Sequence, residues 1–346
     1  MKLPSVYVNA AGLACPIGLT WPSACAAMRA GITRKRLSPY RDDQGREIVA
    51  SYVLDRLSED SLIEERWLFF LAHALRDATR GRGLHVLEDL PIFLTLPSTR
   101  SGGTYEPGWV SSALSQRLGV KLFAANVHVL SGGASGGFVA LQTGRASAQA
   151  GRPCAVAAAD SLLSAARLLP LAQHERLLVE GNSDGFIPGE AAAILMLSQE
   201  KRGALARLCG VGFGLEPSLF SNEVPLRAEG LIAAAREALS DAGLRLTDLD
   251  FRLSDAAGES FFFKEQSLLV TRLLQERKQE FPLWLPAETL GNTGAAAGLC
   301  SLLWAMAAWE RGYAPGPRAL ACAGNEQGNR AAVVFEKIDK GERTYG

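Results

Sequence analysis

The chain has 346 residues, of which 48% are hydrophobic, and its 36 basic residues balance 36 acidic ones. A length of this order allows one large α/β unit or two modest domains with a substantial core. The even charge lacks the basic bias of nucleic-acid binders, and no apolar run is long enough to cross a membrane. Residues 1–18 show no sustained apolar region of the signal-peptide type, so we expect a cytoplasmic protein.

Short apolar runs alternate with segments of helical periodicity along the chain, which predicts an α/β architecture. A helix is predicted after Ser58, because apolar residues from Leu62 to Ala78 recur on one face at a spacing of about 3.6. A second helix is predicted over residues 226–244, with Gly243 as its C-terminal glycine. The predicted strands are residues 6–11, 91–96, 126–130, 154–159, 191–197, 206–213, 318–323 and 331–336.

Residues 126–151 combine a predicted strand, a Gly-rich bend and a predicted helix. Residues 133–137 spell G-x-S-x-G, the bend with which several enzyme families present a serine nucleophile at the end of a sheet. Ser135 is therefore a candidate nucleophile. The alternative is a small residue that caps the first turn of the helix.

A serine hydrolase would also need an acid and a histidine, usually later in the chain. The four histidines are His73, His85, His128 and His174, so a triad in that order depends on His174, 39 residues after Ser135. This favours the capping role for Ser135. His128 lies on the predicted strand that enters the bend, where it is either a local base or, as its alternation with Leu130 favours, a packed core or edge residue.

Two segments of the chain resemble each other. Residues 137–151 and 298–312 are both glycine-to-glycine steps of equal length, each preceded by a bend of small residues and followed by an apolar strand. The match of bend, helix and strand predicts two similar halves. We assign residues 1–200 to the first half and residues 201–346 to the second, each with one bend directed toward a shared centre.

The cysteine pattern and the acidic residues give no sign of a metal or cofactor. The six cysteines are scattered without a C-x-x-C pair, which favours reduced, mostly buried thiols, and Cys154 at the start of an apolar run is expected to be packed and unreactive. Asp184 and Glu190 lack the other positions of an EF-hand, and residues 181–189 lack the lysine of a phosphate-binding loop. We therefore expect no metal ion and no cofactor.

Four segments, in order along the chain, resemble the β-ketoacyl synthases of the thiolase superfamily. They are G-L-A-C-P-I-G-L-T-W from Gly12, N-S-D-G-F-I-P-G-E-A from Asn182, the helix-containing segment from Ala204 to Ser260, and L-G-N-T-G-A-A-A-G from Leu290. The resemblance implies a five-layer α-β-α-β-α fold of two pseudo-symmetric halves. It also implies a dimer in which catalytic bends from both halves meet at one buried site.

That family uses a cysteine thiolate at a helix N-terminus, two histidines and a lysine. In the register of the resemblance, the cysteine position falls on Ala134 and the first histidine on Ala257. The second histidine falls on Asn292 and the lysine on Ala287. The resemblance thus implies a scaffold that keeps its bends and lacks all four reactive groups. One branch of the family has asparagine at the second histidine position, so Asn292 is either structural or a hydrogen-bond donor to a bound thioester or carboxylate. The same resemblance implies that Asp184 and Glu190 support the core.

Three functions fit this pattern. The first is a non-condensing pseudoenzyme that acts as partner subunit, as chain-length factors do, or as an adaptor or chaperone of a secretion system such as type VI. The second is an acyltransferase of the 3-oxoacyl-carrier-protein synthase type with atypical catalytic residues such as Ser135. The third is a binding protein for an acyl thioester or an acyl carrier protein. The expected partners are a second copy, an active ketosynthase, an effector or adaptor protein, or an acyl carrier protein, and not nucleic acid or membrane.

Overall fold

The computed structural model describes residues 4–99, 102–131 and 133–338. Within these residues ten strands form one mixed sheet, in the order β10-β9-β11-β12-β8-β1-β7-β6-β4-β5, and a separate hairpin pairs β2 with β3. The strands are β1 (Val6–Ala14), β2 (Lys35–Arg41), β3 (Glu47–Ser51), β4 (Ile92–Thr95), β5 (Val127–Leu130), β6 (Cys154–Ser161), β7 (Glu190–Ser198), β8 (Ala206–Leu215), β9 (Phe251–Ser254), β10 (Leu283–Trp284), β11 (Arg318–Gly324) and β12 (Asn329–Lys337).

The large sheet consists of two five-stranded parts with the same strand order. The first part runs β5-β4-β6-β7-β1 and the second β10-β9-β11-β12-β8. In each part the fourth strand in this order, β7 or β12, is antiparallel to both of its neighbours. The first three strands of each part are parallel to one another. The parts join where Val6–Val8 of β1 pairs with Ala206–Leu208 of β8. This order favours the division at residue 200, which stays a prediction.

Helices cover both faces of the sheet and fill the space between its two parts. Phe138 of α4 and Leu299 of α9 belong to one buried cluster with apolar residues of both five-stranded parts. The opposite face of the first part packs on α2 and α3, and that of the second part on α6 and α7. The helices are α1 (Trp21–Arg29), α2 (Ile63–Ala78), α3 (Pro107–Leu118), α4 (Gly136–Gln149), α5 (Ala165–Gln173), α6 (Glu229–Ala242), α7 (Ser260–Leu273), α8 (Ala287–Leu290) and α9 (Ala297–Arg311).

This arrangement confirms the predicted five-layer α-β-α-β-α fold, with α4 and α9 in the central layer. None of the helices in the described ranges is both long and apolar enough to cross a bilayer.

Helix α6 lies unusually close to the backbone of β8. A methyl group on Gly210, Gly212 or Gly214 would approach backbone atoms of α6 to 2.2 Å or less, so only glycine allows this contact. The strand's amides are also bonded to the helix, since Val211 N–H donates to Asp241 at 3.1 Å and Phe213 N–H to Glu237 at 2.6 Å. Side chains of α6 thereby hold the helix against the strand.

All eight predicted strands are present, and both predicted helices are found as α2 and α6. Gly243 ends α6 in the left-handed conformation, with φ +68°, as predicted. One detail is wrong: Leu62, assigned to the buried face of the first helix, is the residue before α2 and is 53% exposed. Strands β2, β3, β9 and β10 were not predicted.

Candidate functional site

The two Gly-rich bends adopt the same conformation. Each is a single turn of 3-10 helix, Gly133–Ser135 before α4 and Gly294–Ala296 before α9. We call them the first and second elbow. Their leading glycines have φ values of +55° and +53°, which side-chain-bearing residues rarely adopt. Because the elbows contact each other at the centre of the molecule, the N-terminal ends of the two central helices face one region.

Each leading glycine packs against a polar residue at the end of a strand in the other half. Gly133 lies against Asn325, which follows β11, and Gly294 lies against Asp160 in β6. The Asp160 carboxylate accepts a hydrogen bond from Ala295 N–H at 3.0 Å and one from Arg167 at 3.2 Å. A carboxylate at this position suits the positive end of the α9 dipole. The second elbow is thus neutralised by a group of the protein itself.

A cavity of about 540 Å³ lies in front of the elbows. Three of the four positions selected by sequence line it, namely Ala134 on the first elbow, Ala257 after β9, and Asn292 before the second elbow. Ala287 is not among the lining residues of the described chain. It begins α8, is 9% exposed, and its carbonyl accepts a hydrogen bond from Gly291. The cavity is of the size that small-molecule sites have.

Among the described residues, six ionisable side chains line the cavity, four acidic and two basic: Asp160, Asp255, Glu259, Glu326, Arg167 and Arg176. Arg176 donates to both carboxylate oxygens of Glu259, at 2.6 and 2.8 Å, and its third nitrogen lies 2.5 Å from Glu326. Glu326 belongs to the loop between β11 and β12, so this guanidinium connects three segments around the cavity.

Two of the aspartates that line the cavity are held in a poorly solvated environment. Burial raises the pKa of Asp255 to about 6, although the Gly324 N–H donates to its carboxylate at 2.8 Å. Burial also raises the pKa of Asp160, which is 2% exposed, against the opposing effect of Arg167. Both groups therefore hold protons more tightly than free aspartate does.

Ser135, the candidate nucleophile, does not line the cavity. It occupies the N-cap position of α4 and is 3% exposed, whereas its neighbour Ala134 faces the open space. No cysteine, histidine or lysine lines the cavity within the described ranges. His174 is an exposed residue whose ring nitrogen lies 2.7 Å from the Pro170 carbonyl, and His128 of β5 stacks on Phe93 of the neighbouring strand β4. The structure therefore assembles no serine triad from these residues.

Asn292 is held in place by the elbow itself. Its side-chain oxygen accepts a hydrogen bond from Gly294 N–H at 2.9 Å, and its backbone bonds to Ile187 and Gly189. The oxygen thus shapes the turn, as the structural interpretation expects. Asn292 is nevertheless one of the residues that line the cavity.

The remaining candidates have structural partners. Glu190 is fully buried and binds Arg66 through both oxygens, at 2.7 and 2.8 Å. Asp184 accepts hydrogen bonds from the amide and hydroxyl of Ser260 at the start of α7. Cys154 is buried, and burial raises the pKa of its thiol to about 12. All six cysteines are free thiols, and the described residues contain no group of three potential metal ligands.

Sequence reasoning missed all six ionisable residues of the described cavity lining, among them Asp160 and Asp255. One signal could have identified Asp160, since it is the first charged residue at the carboxyl end of the predicted strand β6. Ligand-contacting groups of α/β proteins commonly occupy such ends. Asp255 follows β9, a strand that was not predicted. The arginines follow β6 in chain order without a comparable pattern.

Comparison with known proteins supports the same fold. The chain is 26% identical over 144 residues to a putative mitochondrial 3-oxoacyl-[acyl-carrier-protein] synthase of Schizosaccharomyces pombe, covering 39% of this chain and 34% of that protein. It is 28% identical over 135 residues to putative polyketide β-ketoacyl synthase 2 of Streptomyces coelicolor, covering 38% of this chain and 32% of that one. The matched segments span about a third of the length of each curated relative.

Among solved structures, a type II polyketide acyl carrier protein in complex with its ketosynthase, AntDE:AntF, matches with a TM-score of 0.80 at 15% identity, over 97% of this chain and all of that one. The chain has the ketosynthase fold. The ketosynthase ApeO in complex with its chain length factor ApeC, from Xenorhabdus doucetiae, matches with a TM-score of 0.73 at 16% identity, over 97% and 98% of the two chains. No family model matches the sequence. The two curated relatives and the solved structures confirm the resemblance to ketosynthases.

Proposed function

We propose that this ketosynthase-like protein does not condense acyl groups and acts as a partner subunit of other proteins. The observation that supports this most strongly is the lining of the cavity. The register of the resemblance puts the family's nucleophile and both histidines at Ala134, Ala257 and Asn292, and these three positions meet at one cavity. Among the described lining residues there is no thiol, imidazole or amine that could replace them.

The size of the expected loss supports the same proposal. Removal of one member of a catalytic unit typically lowers the rate by factors of about 10⁴ to 10⁶. In the register of the resemblance, the nucleophile, both histidines and the lysine are all replaced in this chain. The elbow amides alone would give only the small residual rate that binding and an oxyanion hole provide.

The solved neighbours suggest which partner to test first. One is a ketosynthase in complex with an acyl carrier protein, and another is a ketosynthase in complex with its chain length factor. We propose that the partner here is an active ketosynthase, with which this chain forms a heterodimer like that of a chain-length factor. Homodimerisation, binding of an acyl carrier protein and an adaptor role in a secretion system stay predictions.

The absence of condensation can be tested by intact-mass spectrometry after incubation with malonyl- and acyl-loaded carrier proteins. We expect no acyl adduct and no decarboxylation, for the wild type and for Ser135→Ala alike. The control is the triple variant Ala134→Cys, Ala257→His, Asn292→His, in which acylation of the introduced thiol would verify the register. An adduct on the wild-type chain that Ser135→Ala removes would instead support an acyltransferase with atypical residues.

The partner can be tested by affinity purification from the native host, followed by native mass spectrometry. The proposal expects an equimolar complex of this chain with one ketosynthase. Recovery of a homodimer alone, with added ketosynthase failing to exchange into it, would contradict the chain-length-factor version of the proposal.

A further inference from the structure

The cavity in front of the elbows carries an excess of negative charge. Its described lining contains four carboxylates and two guanidinium groups, and neither lysine nor histidine. With all groups ionised, two negative charges are left over. A cavity wall of low dielectric concentrates such a field on whatever enters. This charge does not suit a carboxylate or phosphate ligand.

Both guanidinium groups are already committed to carboxylates of the cavity wall. Arg176 binds Glu259 through two hydrogen bonds and also contacts Glu326. Arg167 donates to Asp160. Three of the four carboxylates therefore have a cationic partner, and the fourth, Asp255, has none. One excess negative charge lies at Asp255, and the other lies where the single guanidinium of Arg176 meets Glu259 and Glu326.

Asp255 forms no ion pair within the described part of the chain. One of its oxygens accepts the Gly324 N–H at 2.8 Å, and the other receives only the hydroxyl of Ser254 at 3.4 Å, beyond the usual range. The guanidinium of Arg330 is engaged elsewhere, since it donates to both oxygens of Glu265 at 2.9 and 3.0 Å. Asp255 thus presents a carboxylate oxygen with unused acceptor capacity.

A second oxygen of the cavity wall also lacks a donor. The Oδ1 atom of Asp160 is buried and has no hydrogen-bond partner among the described residues, while Oδ2 of the same group accepts from Ala295 and Arg167. A buried acceptor without a donor is destabilising, and in native proteins such an atom commonly marks a missing ligand or water. Like the free acceptor of Asp255, this oxygen requires an N–H or O–H donor.

The geometry points to a binding site for an organic cation, a guanidinium or primary ammonium group, with Asp255 as its counter-ion and Asp160 on the cavity wall as a further acceptor. A guanidinium presents several N–H donors in one plane and suits carboxylate oxygens. The volume of about 540 Å³ is sufficient for a small amine or for a basic side chain of another polypeptide. This site goes beyond the proposed role as a partner subunit and does not depend on it.

The test is isothermal titration of the full chain at low salt with two cationic probes, agmatine and the peptide acetyl-Gly-Arg-Gly-amide, and with malonate as an anionic probe. We expect saturable one-to-one binding of a cation and none of malonate. Tighter binding of agmatine would indicate a free small molecule as the natural ligand, and tighter binding of the peptide would indicate a basic segment of a protein.

Asp255→Asn removes the counter-ion and keeps an oxygen for Gly324, so it should weaken cation binding at least about tenfold. Asp43→Asn, which removes one exposed surface carboxylate, should leave the affinity within about twofold. Ala257→Phe, which would fill the cavity, provides a second blocking variant if Asp255→Asn does not fold. Failure of both cations to bind, preferential binding of malonate, or equal effects of Asp255→Asn and Asp43→Asn would overturn the proposal.

Discussion

In the first elbow the left-handed glycine, Gly133, faces the amide of Asn325, whereas in the second elbow Gly294 faces the carboxylate of Asp160. The equivalent alanines differ as well. Ala134 lines the cavity, while Ala295 is 0% exposed and its amide is bonded to Asp160. The two elbows therefore share one backbone conformation, but the first borders the cavity and the second binds an internal carboxylate.

This difference shows that an elbow conformation is not in itself a binding site. At the second elbow an internal carboxylate occupies the place where a ligand anion would meet the helix dipole. At the first elbow the neighbouring side chain is uncharged and Ala134 remains accessible from the cavity. Three experiments can break or sharpen this comparison.

The largest effect is expected from Gly294→Ala. The added methyl group would lie 2.1 Å from a carboxylate oxygen of Asp160, and the positive φ adds strain, so we expect a loss of about 3 to 5 kcal/mol in the free energy of unfolding. Gly133→Ala has the same strain but meets Asn325 at 3.4 Å, and should lose only about 1 to 2 kcal/mol. Denaturant titration measures both. Equal losses would show that the two environments do not differ.

A reactivity test comes next. A cysteine introduced as Ala134→Cys should lie at the N-terminal end of α4, facing the cavity, where a small reagent can reach its thiol. Ala295→Cys should be buried beneath Asp160. We expect iodoacetamide to label the first on the order of 100-fold faster, against a low background, because burial raises the pKa of native thiols such as Cys15 and Cys322 to about 12. Similar rates would contradict the assignment of one accessible elbow.

The smallest effect concerns pH. Because burial raises the pKa of Asp160, the native state keeps this proton to higher pH than the unfolded state does, and stability is lost as pH rises above about 4. Asp160→Asn cannot ionise, so its stability relative to wild type should increase by about 1 kcal/mol across that rise. Thermal unfolding between pH 4 and 7 measures the slope, and Asp43→Asn, which removes an exposed surface carboxylate, is the matched control.

The fold was largely predictable because its main strands are long and apolar. The strands that sequence reasoning missed are short or carry a charge. Strand β10 has two residues, and β9 contains Arg252, which is only 8% exposed and whose guanidinium lies over the ring of Phe281. A buried arginine removes the apolar signal on which strand prediction depends.

The site was predictable only where a motif fixed the register. The resemblance led to Ala134, Ala257 and Asn292, and the structure places all three at one cavity. That they correspond to lost catalytic groups stays a prediction. The pairing of the charged residues was not predictable, because it depends on contacts across the two halves, such as Asp160 with Ala295 and Arg176 with Glu259. No local pattern in the sequence indicates which residues of the two halves pair with each other.

The close contact between α6 and β8 has a consequence for association with other chains. Strand β8 pairs with β1 only from Ala206 to Leu208, so its later residues would otherwise present unpaired amides to any extended segment nearby. Asp241 and Glu237 of the helix bind the amides of Val211 and Phe213. Loss of these two carboxylates would leave unpaired amides on β8, in the middle of the sheet, in addition to the open edges of the end strands. Open strand edges promote aggregation.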